Sequence, residues 1–267
     1  MQLIDTHTHL YVQQFEKDRA EVIAKAKQAG VQTFYLPAID SETHEAMLEL
    51  EAAYPEDCFA MMGLHPCSVK ANFEEELKIV EEWLQKRPFC AVGEIGIDLH
   101  WDTTFFEQQK EAFIRQINWA KDLEIPIVIH SRKSTWEVIN ILKAEKSAKL
   151  KGIFHCFGGS VEEAEAIIDC GFHLGIGGVL TFKKAGLDKT MEHIDLAHVV
   201  LETDSPYLAP TPFRGKRNQS AYVELIAKRL AEIKGVSLAE IASVTSENAK
   251  KIFANTPKNT LLFGKTR

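Results

Sequence analysis

The sequence predicts a (β/α)₈ barrel, and three observations carry that prediction. Eight short apolar runs alternate with eight longer amphipathic segments along the 267 residues. The run Pro126-Ile-Val-Ile129 is apolar without alternation, as a strand buried on both faces requires. No linker or low-complexity tract interrupts the rhythm. Strand–helix alternation implies parallel strands joined by crossover helices, and eight units favour closure into a barrel over an open doubly wound sheet.

In chain order, strands are expected at 2–8, 31–38, 58–64, 89–94, 125–130, 152–156, 172–176 and 198–203. Helical patterns fall between them, near 16–29, 42–53, 73–86, 104–122, 134–145, 161–170, 184–193 and 219–233. In 104–122, Phe106, Phe113, Ile117 and Ala120 recur at helical spacing, with Glu107, Lys110 and Glu111 on the other side. A further helix or helix pair is expected over 238–253. Residues 1–254 read as one barrel domain and 255–267 as a flexible tail.

Composition narrows the function classes. Hydrophobic residues at 45% and charged residues at 26% suit a chain that buries a large core. A net charge of −7 argues against broad adhesion to nucleic acid or anionic membranes, while leaving room for a local basic site. The five cysteines (Cys58, Cys67, Cys90, Cys156 and Cys170) form no Cys-x-x-Cys pair and suggest reduced thiols. The start, Met-Gln-Leu-Ile-Asp, lacks a signal-peptide pattern, and no window approaches the roughly 18 apolar residues of a membrane helix. A soluble, cytoplasmic protein is expected, with no membrane and no obligate protein partner indicated.

Metal-capable residues fall at the carboxyl ends of the expected strands. His7 and His9 close the first, His65 follows the third, Glu94 ends the fourth and His130 the fifth. His155 ends the sixth, and Asp204 follows the eighth. In a barrel these ends converge on one rim, where active sites of this fold sit. His7 and His9, two apart on a strand, face the same side. Alone that pair fits ordinary hydrogen-bonded histidines; joined by further ligand types at strand ends, it points to metal. A carboxylate at Glu94, on an otherwise apolar strand, is costly unless paired or metal-bound. Glu202 should share the side of Asp204 one layer deeper, in a supporting role. Cys156 should face away from His155, into packing, and His44, His173, His193 and His198 are assigned to packing or surface.

Seven segments together resemble the TatD family of metal-dependent deoxyribonucleases. They are Asp5-Thr-His-Thr-His-Leu10, Gly63-Leu-His-Pro66, Gly93-Glu-Ile-Gly-Ile-Asp98, Ile129-His-Ser-Arg132, Phe154-His-Cys-Phe-Gly-Gly159, Leu201-Glu-Thr-Asp-Ser-Pro-Tyr207 and Arg214-Gly-Lys-Arg-Asn218. The resemblance runs in unbroken order from residue 1 to about 254. It implies a barrel of the metallo-dependent hydrolase type, divalent cations, and hydrolysis of phosphodiesters in DNA, as in 3′→5′ exonucleases. It also implies that His7, His9, Glu94, His130, His155 and Asp204 form the metal-binding set. Leu99-His100-Trp101 departs from the tyrosines frequent in the family, which bears on specificity.

Six mixed nitrogen and oxygen ligands exceed one tetrahedral zinc, so two divalent ions (magnesium, manganese or zinc) are expected, bridged by Glu94. His7, His9 and Asp204 would hold one, His130 and His155 the other. Asp204 would double as general base, with Glu94 the second catalytic carboxylate. His65 reads as a donor to a phosphate oxygen. Arg214 and Asn218, within a basic run that includes Lys216 and Arg217, are expected to bind phosphate, because loops after the last two barrel strands are frequent phosphate sites. Arg132 and Lys183-Lys184 are weaker rim candidates, and Trp101, Phe105 and Tyr207 are candidates for base stacking. The expected partner is DNA or an oligonucleotide. The rival readings are hydrolysis of a cyclic amide, lactone or amino-purine on the same scaffold, or a metal-containing binding protein without turnover.

Overall fold

The structure, a computed structural model, describes residues 2–254. The expected tail, 255–267, lies outside the described residues. The strands are β1 (Leu3–Asp5), β2 (Val31–Leu36), β3 (Cys58–Ala60), β4 (Val92–Asp98), β5 (Ile127–Arg132), β6 (Gly152–Phe154), β7 (Phe172–Ile176) and β8 (Val199–Leu201). The helices are α1 (Arg19–Gln28), α2 (Ser41–Ala53), α3 (Phe73–Lys86), α4 (Phe106–Leu123), α5 (Thr135–Ala144), α6 (Val161–Asp169), α7 (Leu187–His193), α8 (Val223–Lys234) and α9 (Leu238–Ile252).

All strand pairing is parallel and sequential, in one ladder of β1–β3 and one of β4–β8. Single parallel bridges, Met62 with Val92 and Thr8 with Ser205, join the two ladders at both seams. The Thr6 amide donates to Leu201 O and the His9 amide to Ser205 O, so β1 and β8 are neighbours and the ring is complete.

Apolar side chains fill both sides of this ring. One core lies between strands and helices; a second, with Ile4, Met61, Val128, Ile153 and Val200, fills the barrel. Helix α9 closes its lower end with Ala249, Ile252 and Phe253, and the Phe253 ring stacks on Tyr35 at 3.8 Å. Local signals fix the helix ends. Ser160 and Glu163 form a reciprocal capping box on α6, and Gly235 takes a left-handed φ of 64° to stop α8.

One boundary differs in a way that matters. The fourth strand was expected at 89–94, and β4 instead runs on to Asp98. Gly96 looks like an interruption, yet its φ of 141° lets the His130 carbonyl approach to where a Cβ would stand 2.1 Å from it. The glycine is what keeps β4 and β5 paired. Asp98 thereby reaches the rim beside Arg132 in the β4–β5 register. Helix α4 supports the same rim with two buried amides. Gln109 accepts from the Asp98 N–H at 2.9 Å, and Gln116 accepts from the Leu64 N–H at 2.7 Å.

Candidate metal centre

The rim encloses a cavity of about 760 Å³, lined by His9, His65, Glu94, Asp98, His130, His155 and Asp204 among others, with His7 fully buried at the floor. All six side chains expected to ligate metal converge here. Glu94 is the centre of the arrangement, and its two oxygens face different neighbours. Oε2 lies 3.0 Å from His7 Nε2 and 3.6 Å from His9 Nε2. Oε1 lies 2.9 Å from His130 Nδ1, 2.9 Å from His155 Nε2 and 3.3 Å from His65 Nε2. Asp204 Oδ1 stands 3.6 Å from His9 Nε2 and 3.8 Å from His7 Nε2.

The histidine nitrogens can be told apart by what their other ring atoms do. Tyr11 donates its hydroxyl to Pro37 O at 2.5 Å and therefore accepts from His9 Nδ1 at 2.9 Å, which leaves a lone pair on His9 Nε2. His130 donates Nε2–H to Asp98 Oδ2 at 2.8 Å, which leaves its Nδ1 toward Glu94. His155 Nδ1 is 3.3 Å from Glu202 Oε1, so its Nε2 is the inward atom. His65 is the opposite case. Its Nδ1 accepts the Cys67 amide at 3.0 Å, which puts the proton on Nε2 and makes that atom a donor.

Charge follows from this packing. Burial opposes ionisation of Glu94, yet His155, His65 and His7 outweigh it and hold the carboxyl well below its usual range. Burial likewise opposes charge on Asp204, and His9, His155 and His7 overcome it. Burial disfavours the imidazolium of His155, but Glu94 and Glu202 raise it well above 6.5. In His7 burial prevails and, with His155, lowers its pKa.

The donor set suits divalent metal. His7 Nε2 and His9 Nε2 lie 3.3 Å apart, the separation of two nitrogens each about 2.1 Å from one ion at a tetrahedral angle. Groups of possible ligands, each within 4.8 Å, are His7, His9 and Glu94; His65, Glu94 and His130; and His7, His155 and Asp204. A carboxylate sharing a pocket with five imidazoles matches what borderline ions accept.

The residues expected to bind phosphate fare differently. His65 lines the cavity, whereas Asn218 is fully buried and donates to Thr203 O at 2.7 Å and Tyr207 O at 2.6 Å. Its amide is consumed in holding the loop after β8, so the expectation of phosphate contact is corrected. Asn218→Ala should cost about 1–3 kcal/mol by stranding those carbonyls, seen as a lower Tm in thermal denaturation. Arg214 lies elsewhere than the cavity wall. It is exposed and lays its guanidinium 4.1 Å above the Phe182 ring. Arg217 is taken by Asp18. Arg132 lines the cavity instead. Cys156 was expected to face away from the rim, but it lines the cavity too: β6 ends at Phe154, so strand alternation stops before it.

Trp101 and Tyr207 stand at the cavity mouth, while Phe105 packs against the core. Asp98, which closes the Gly93–Asp98 segment, was given no role by the sequence reading. Glu94 and Asp98 are four apart, hence on one face of a strand, and that even spacing was the available signal.

The profile of the TatD related DNase family matches residues 4–254. The uncharacterized metal-dependent hydrolase YabD of Bacillus subtilis is 40% identical over 252 residues, covering 94% of this chain and 98% of YabD. The 3′-5′ ssDNA/RNA exonuclease TatD of Pectobacterium parmentieri is 31% identical over 258 residues, covering 94% and 99% of the two chains. The crystal structure of YjjV, a TatD homologue from Escherichia coli K12, superposes with a TM-score of 0.89 at 30% identity, covering 94% of this chain and 98% of that one. The chain belongs to the TatD related DNase family of metal-dependent hydrolases.

Proposed function

We propose that this protein hydrolyses phosphodiester bonds in single-stranded DNA or RNA, working from a chain end with two divalent ions. The observation that carries the reading is Glu94, whose Oε2 faces His7 and His9 while its Oε1 faces His130 and His155. A carboxylate so placed could serve two ions, with His7, His9 and Asp204 holding one and His130 and His155 the other. When bound, such ions lower the pKa of a water and neutralise charge on phosphate oxygens. The relative from Pectobacterium parmentieri named as a 3′-5′ ssDNA/RNA exonuclease supports the substrate class.

The chain's own residues divide the remaining work. Asp204 Oδ1 faces the histidines, so Oδ2 is the atom that takes the proton from the attacking water. His65 donates Nε2–H to a phosphate oxygen, and Arg132 offsets phosphate charge at the mouth. Ile39, Val179 and Leu208 form an apolar wall that excludes bulk water. Five cysteines without disulfides suit the reducing cytoplasm.

The deciding assay restores magnesium, manganese or zinc singly to metal-depleted protein and follows a labelled single-stranded oligonucleotide. Stepwise loss of terminal nucleotides is expected with at least one ion. Hydrolysis of lactones or cyclic amides with none of the oligonucleotide would overturn the reading.

Two further results are expected. Asp98→Asn keeps the shape but loses the charge that orients His130, so metal affinity should fall about 10- to 100-fold in competition with a chelating dye. The protonated His155 of the metal-free fold must become neutral to ligate, so metal uptake should release protons. Its raised pKa means the proton is held below and through 6.5 and lost only well above it, and apparent metal affinity should therefore rise with pH. Binding heats that do not change with the ionisation enthalpy of the buffer would refute the coupling.

A further inference from the structure

Beside the metal cavity lies a second, smaller cavity of about 340 Å³, lined by Ser131, Arg132, Lys133, Thr135, Gly158 and Gly159 among others. The two share a wall made of Ser131, Arg132, His155 and Cys156. The site proposed above uses only the shared wall, yet the rest of the chamber's lining is that of an anion site. We propose that it is a second phosphate subsite, which receives the phosphate adjoining the scissile one in a nucleotide chain. The proposal rests on the phosphodiesterase reading.

Four features carry it. Arg132 and Lys133 bring two cations, and among the described residues neither has a carboxylate within ion-pair distance. Lys133 holds a left-handed φ of 56°, a backbone state that lysine rarely adopts and that is tolerated where surrounding structure imposes it. Ser134 spends its hydroxyl on Ile97 O at 2.6 Å and makes no side-chain cap, so the first amides of α5 stay open beside Thr135. The carboxylate that also lines the chamber, Glu163, has its Oε2 engaged by the Ser160 amide at 2.8 Å in the α6 capping box. With the reacting phosphate of a substrate against His65, the neighbouring phosphate would lie across the shared wall at Arg132, on Lys133 and the open α5 amides.

The test is binding rather than turnover. Calorimetry on the metal-loaded protein would compare thymidine 3′,5′-bisphosphate with its 3′- and 5′-monophosphates. The bisphosphate should bind about tenfold tighter than either monophosphate. Lys133→Gln should erase that advantage and leave the monophosphates unchanged, while Lys133→Arg should keep it, which separates loss of charge from loss of fold. Equal binding of all three ligands by the wild type, or an advantage that survives Lys133→Gln, would overturn the proposal. A Lys133-dependent advantage in a protein inactive on oligonucleotides would retain this subsite and retire the nuclease reading.

Discussion

Glu94→Gln should lower turnover by about 10³-fold or more and strip most of the metal. The substitution changes one atom, but an amide carries no charge and offers only one oxygen acceptor, whereas Glu94 serves neighbours with both. Several kcal/mol of charge stabilisation depend on ions held at this point, and each 1.36 kcal/mol is tenfold in rate. Atomic spectrometry and oligonucleotide hydrolysis, beside near-ultraviolet circular dichroism, would measure metal, rate and fold separately. Normal metal content with normal turnover would remove Glu94 from the centre.

Asp204→Asn should act on a different step. The amide preserves the volume and one acceptor oxygen facing His7 and His9, so part of the metal should remain. What disappears is the group that accepts the proton, and the rate should fall about 10²-fold or more. The pH profile carries the sharper reading. Burial opposes the charge, but His9, His155 and His7 lower the carboxyl below its usual range, so an acid limb that belongs to Asp204 should lie at low pH and be lost in the variant. Near-normal turnover in the variant would transfer the base to His65 or Glu94.

The parts of this protein that were legible in its sequence share a physical origin. Strand ends of a parallel barrel gather on one rim whatever the intervening loops do, so His7, His9, Glu94, His130, His155 and Asp204 could be placed together from chain order alone. The loop after β8 obeys no such rule. Arg214, Lys216, Arg217 and Asn218 look like one basic run, but tertiary contacts send them apart: to Phe182, to solvent, to Asp18 and into the core. Asp98 stayed hidden for another reason. The fourth strand was expected to end at Glu94, and only the close approach of the His130 carbonyl explains how Gly96 extends it. Supporting groups such as Tyr11, Asp98 and Gln109 reveal themselves through the partner atom they engage, and a sequence shows residues without partners.

The seam between β1 and β8 gives the centre a birth order. His7 and His9 are synthesised well ahead of Asp204, which follows only after nearly two hundred further residues. At 5–20 residues per second that interval is roughly 10–40 s. Throughout it the two histidines have neither the Ser205 carbonyl that anchors the His9 amide nor the carboxylate that faces them. Helix α9, which stoppers the lower end of the ring, comes later still. A nascent chain therefore carries scattered imidazoles and no assembled centre, and competence arrives in one late, non-local event.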